Sequence, residues 1–148
     1  MSAVQNGGAI RPPVWFRLIA VLALLWNLAG VGAFAMQASM GAETVAALPP
    51  AQRDLWFGMP GWAWVAYGLA VAAGTLGAVG LLLRRGWALP AFVVGLATVV
   101  VQFTYPFLMT DALSVMGPGM AVLPLAIVVI AVAEVLAARA WRGRGWLH

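Results

Sequence analysis

Four apolar runs, broken by short polar stretches, dominate the pattern along this chain. They cover residues 14–37, 61–83, 87–109 and 119–141. A helix rises about 1.5 Å per residue, so the ~30 Å hydrocarbon core of a bilayer takes about 20 residues. Each run meets that length and is predicted to be a transmembrane helix, the second opened by Pro60 at a position that suits a first helical turn. Arg11 ahead of the first run and Arg17 in its first turn, with the small residues Ala33 and Ala35 near its end, resemble a cleaved leader. The run is longer than the ~7 to 15 apolar residues of a leader, however, and is read as a membrane span.

The breaks between runs carry their own predictions. "RRG" at 84–86 is too short to separate the second and third spans, which should form a helical hairpin. The stretch 38–59 reads as two short helical turns, the second started by Pro49 and Pro50, with Leu55, Trp56 and Phe57 placed to lie on the membrane surface. The expected fold is therefore all-α and integral to the membrane: an antiparallel four-transmembrane-helix bundle over 14–141 with a short interfacial helical element in its first outer loop. A tail at 1–13 and a basic tail at 142–148 are expected to be mobile.

Charge orients this scheme. Seven of the eight basic residues, Arg11, Arg17, Arg84, Arg85, Arg139, Arg142 and Arg144, fall on one side, and Arg53 falls on the other with Glu43, Asp54 and Asp111. The excess of arginine marks the cytoplasmic side, so both termini are expected inside a bacterial cytoplasmic membrane. Tryptophans agree: Trp15, Trp87, Trp141 and Trp146 fall at the inner boundary, Trp56, Trp62 and Trp64 at the outer one, and Trp26 alone at mid-depth. Composition narrows the chemistry. Of 148 residues 64% are hydrophobic and 8% charged, against about a quarter charged in soluble domains. The net charge of +4 builds no basic patch with interleaved aromatics, so nucleic acid is not an expected partner. There is no cysteine, and the one histidine is His148. No His–carboxylate pair, metal-ligand spacing or phosphate loop is present, so neither an enzyme nor a metal or other cofactor is expected.

Polar groups inside the spans are the candidates for function, since each needs a partner in the bilayer. In the third span Thr98, Gln102 and Tyr105 share one helical face; in the first, Asn27 lies on a face with Gly30, Phe34 and Gln37. Asn27 and Gln102 are expected either to bridge the two helices or, with Tyr105, Thr98 and Thr75, to line a solute path. Glu134 lies seven residues, about 10 Å, inside Trp141. It is expected to form an interhelical ion pair with Arg84, Arg85 or Arg17, with a proton- or cation-coupling role as the alternative. Ala66, Ala70, Ala73, Gly77 and Gly80 make a small-residue stripe on the second span that suits close helix packing, with a substrate groove as the other reading.

Three stretches carry a family resemblance: "LALLWNLAGVGAFAMQASM", "AALPPAQRDLW" and "GMPGWAWVAYGLAVAAGTLGAVGLLLRRGWALPAFVVGLATVVVQF". Its most specific pieces are the pair Trp26 and Asn27, the Pro-Gly-Trp-Ala entry at 60–63, and the Arg-Arg-Gly-Trp-Ala turn at 84–88. Over about residues 13–109 the chain resembles a family of short bacterial four-span inner-membrane proteins, many of which carry a sugar-transporter label. The resemblance implies an architecture more than an activity, and the label adds an expectation of transport without nominating binding residues. Two expectations follow: an oligomeric transporter of a small solute, with a sugar as one candidate, or a non-catalytic accessory or scaffold subunit of a larger membrane complex. Four helices of this size enclose little volume, so a transporter is expected to build its path at the interface of a homo-oligomer.

Overall fold

A computed structural model describes residues 10–148; the tail expected over 1–13 falls mostly outside the described residues. The described chain is helical, with no strand. Four helices are long and apolar enough to cross a membrane: α1 (Val14–Ala38), α4 (Gly61–Leu82), α5 (Ala88–Leu108) and α7 (Val122–Gly143), the last led in by a 3-10 turn over Pro118–Ala121. Between them lie α2 (Ala42–Ala46) and α3 (Pro50–Gly58), in the loop for which two short helical turns are predicted, and α6 (Ala112–Met116), where no element is predicted. Pro13, Pro49 and Pro60 stand at the N-caps of α1, α3 and α4, where a residue without a free N–H and with a fixed φ starts a helix at little cost.

Small residues set the packing. A Cβ added at Gly80 would lie 2.9 Å from the Ala88 Cβ, and one at Gly77 would lie 2.7 Å from the ring of Phe92. Gly95 abuts the backbone of α4 at Gly74 N and Ala70 O. These contacts run up α5 as they run down α4, and they let the two backbones approach closely, the means by which helices associate in lipid. Ala66, Ala70, Ala73, Gly77 and Gly80 are all buried. On its other side α4 meets α1: Gly68 against Phe34 at 3.3 Å, Gly30 against Val71 at 3.4 Å, and Gly74 against Asn27. Helix α7 packs on α5, so the helices neighbour one another in the order α1, α4, α5, α7.

The arginine-rich ends of these helices close into one dense core. Phe16 and Ala20 of α1, Ala78 and Leu81 of α4, Ala88 and Phe92 of α5, and Ala138 and Trp141 of α7 are buried together. Trp141 stands edge-on to Phe16 with ring centroids 4.9 Å apart.

The C-terminal residues join that core instead of trailing free. Trp146 and Leu147 are buried, Gly86 N donates to His148 O, and His148 N donates to Arg84 O. Arg84 organises this knot. Its backbone takes the left-handed conformation, φ 57°, that ends α4 with Arg84 N donating to Leu81 O and Arg85 N donating to Gly80 O. Its guanidinium donates from Nε to Trp146 O at 3.0 Å and from Nη2 to Ile10 O at 2.9 Å. The start of α1, the α4–α5 turn and the C-terminus thus meet at one end.

Candidate functional site

Above the core α1 and α7 draw apart, and a cavity of about 410 Å³ opens between them. All four long helices line it. Asn27, Gly30 and Gln37 come from α1, Tyr67 and Gly74 from α4, Gln102 and Phe103 from α5, and Glu134 from α7. Gly30, Ala33, Ala70, Gly74 and Gly95 share its walls with larger apolar side chains such as Phe92 and Ile127, and a helix face bare of large side chains leaves space wherever no neighbour fills it. The stripe on α4 therefore has two uses: Gly77 and Gly80 admit α5, while Ala70, with Gly74 outside the stripe, lines the cavity.

Glu134 stands at the cavity's inner end. Asn27 donates from Nδ2 to Glu134 Oε1 at 2.7 Å and to Ala23 O, one turn back on its own helix, at 2.8 Å. The carboxamide is held between α1 and α7 with its oxygen against Gly74, where an added Cβ would overlap it. Three helices thus fix one amide. The expected ion pair with an arginine does not form: among the described residues the ion pair is Arg53 with Asp54, 3.7 Å apart, on the α3 side. Arg84 is committed to backbone carbonyls at the helix ends, and Arg85 and Arg17 are exposed. The physical reason is depth: Glu134 lies about two helical turns inside Trp141, with the aromatic core between it and the arginine layer.

Other candidates separate in the same way. The bridge between Asn27 and Gln102 does not form, since Asn27 spends both amide hydrogens on Ala23 and Glu134. Gln102 lines the cavity. Thr75 donates to Val71 O and Thr98 to Val94 O and Gly95 O, each on its own helix, and neither lines the cavity. Tyr105 is a clasp for α3. Its hydroxyl donates to Leu55 O at 3.2 Å and sits where Gly58 leaves room, so a Cβ at Gly58 would meet it at 2.6 Å.

A second cavity of about 190 Å³ lies beneath α3, lined by Gln52, Leu55, Trp56 and Tyr105 among others. Gln37, Tyr67, Gln102 and Phe103 line both cavities and form the neck between them. Within that neck Gln37 Nε2 donates to the Tyr67 hydroxyl at 3.3 Å. Trp56 Nε1, at the outer cavity, is a buried donor with no protein partner among the described residues. The two cavities thus adjoin at these four residues, the outer one beneath α3 and the inner one reaching Glu134, with the core around Phe16 and Trp141 beyond it. Trp56, Tyr67 and Gln52 were missed as site residues because their spacing ties them to no other polar position. Tyr67 shares the neck with Gln37 and Gln102 only once α1 and α5 flank α4. No family model, curated protein or solved structure matches the chain.

Proposed function

We propose that this protein is a small-solute transporter of a bacterial cytoplasmic membrane, built as an antiparallel four-helix bundle with both termini in the cytoplasm. Its solute site is the cavity between α1 and α7. The observation that carries this reading is convergence: a cavity of about 410 Å³ gathers Asn27, Gln37, Tyr67, Gln102 and Glu134 from four helices. Sites for small molecules run from about 300 to 1,000 Å³ and combine mostly apolar walls with a few placed polar groups. Polar side chains concentrated on one intramembrane cavity are where solute and ion paths are expected.

In this reading the path faces outward. The arginine-rich end, cytoplasmic by its charge, is the end closed by the aromatic core, while the neck and the cavity under α3 lead the other way. A cavity within one chain supports transport by a single copy, without a path shared at an oligomer interface. Solute flux into proteoliposomes, measured for Asn27→Leu and Glu134→Gln beside the unaltered protein, tests the proposal. Loss of flux with folded protein retained in the membrane supports it. If both variants only lower yield, the polar groups are structural and the accessory-subunit reading takes its place.

A further inference from the structure

Among the described residues the inner cavity holds one carboxyl group and no basic side chain; the carboxyl is that of Glu134. Of the four Asp and Glu residues in the chain it is the one within a membrane-spanning run. Among the described residues Glu134 Oε1 takes one hydrogen bond, from Asn27, and Oε2 takes none, whereas an ionised carboxylate has room for about four. Asn27 has no further hydrogen to give, having spent its second on Ala23 O. The same cavity presents the aromatic rings of Trp26, Tyr67 and Phe103, whose faces attract cations. A protonated amine would bring both a counter-charge and donors for the free carboxyl oxygen, whereas a neutral polyol would bring donors alone.

We infer that the solute is a small organic cation, a protonated amine on an apolar body. Its N–H donates to Glu134, and its body lies between the Gly/Ala wall of α4 and Trp26. The inference rests on the cavity being a solute site and adds the class of solute. Glu134 confers the preference for charge, and Asn27 positions Glu134 by holding one carboxylate oxygen while leaving the other free.

The test is calorimetric titration of the full chain in nanodiscs with 2-phenylethylammonium and with its neutral counterpart 2-phenylethanol, using empty nanodiscs as the blank. The expected result is binding of the ammonium at least about tenfold tighter than of the alcohol, with Glu134→Gln bringing the two within about twofold. Should that variant fail to fold, the unaltered protein gives a second readout. Modification of Glu134 by a membrane-soluble carbodiimide, followed by peptide mass spectrometry, is expected to be blocked by the ammonium and not by the alcohol. Equal binding and equal protection by the alcohol overturn the cationic class and leave the cavity a solute site. Protection by sodium chloride alone overturns it in favour of an inorganic cation. If neither probe binds or protects, the solute-site reading falls and the inference falls with it.

Discussion

Gly74→Ala perturbs the Asn27–Glu134 contact without touching either residue. The new methyl group would overlap the Asn27 carboxamide oxygen, and its nearest neighbours are all atoms of that one side chain. The amide must then rotate away, giving up its bonds to Ala23 O and Glu134 Oε1. An interhelical hydrogen bond in lipid contributes about 1–2 kcal/mol at most, and exchanging Gly for Ala within a helix returns up to about 1 kcal/mol. The expected net loss of stability is about 1 kcal/mol in the unaltered background. In an Asn27→Ala background the collision is gone, so Gly74→Ala should be neutral or stabilising by up to about 1 kcal/mol. The coupling between the two sites is then about 1–2 kcal/mol, read by equilibrium unfolding of the four proteins of the cycle in mixed micelles. Effects that add to within about 0.5 kcal/mol would refute the claim that Gly74 exists to seat this amide.

Three further outcomes are expected. Gly80→Val should separate α4 from α5, because its Cβ meets Ala88 and Trp87 at 2.9 Å and an Ala88 backbone atom at 3.1 Å that cannot swing aside; overpacking of this kind costs about 1–3 kcal/mol in unfolding measurements. Arg84→Ala removes both guanidinium bonds, to Trp146 O and Ile10 O, and should destabilise by about 2 kcal/mol while speeding amide exchange at His148 before that of the helix centres. Replacing the Trp56 indole with benzothiophene, which exchanges the N–H for sulfur at nearly constant shape, should shift stability by less than about 1 kcal/mol in thermal unfolding, because among the described residues the N–H has no protein acceptor to lose.

The long helices were legible because bilayer thickness imposes a length that composition alone reveals: each predicted span lies within about three residues of its helix at either end. The two helices after Met40 were equally plain, since Pro49 and Pro50 mark where the second begins. The partner of Glu134 was not legible. Arginines near in the sequence scheme suggested an ion pair, but which helices face one another across the cavity follows from the glycine seams of α4, and those seams place Asn27 nearer than any cation. Periodicity also put Thr98, Gln102 and Tyr105 on one face, and a shared face did not mean a shared destination. Thr98 turns back on its own helix, Tyr105 holds α3, and Gln102 reaches the cavities. The C-terminal residues were misread because a short basic stretch looks solvated until Trp146 and Leu147 are seen filling the space beside Phe16.

The central claim is that the space between α1 and α7 is an aqueous solute compartment and not a lipid-filled groove. A chain without cysteine allows a direct measurement, the reaction of single introduced cysteines with a water-soluble, membrane-impermeant methanethiosulfonate in proteoliposomes. Ala131 on α7 lines the cavity, and Val129, two residues earlier on the same helix, is exposed outside it. The account predicts that Ala131→Cys is labelled from the α3 side and that Val129→Cys is not. Silence at Ala131→Cys in folded protein, or equal labelling at both positions, would contradict it.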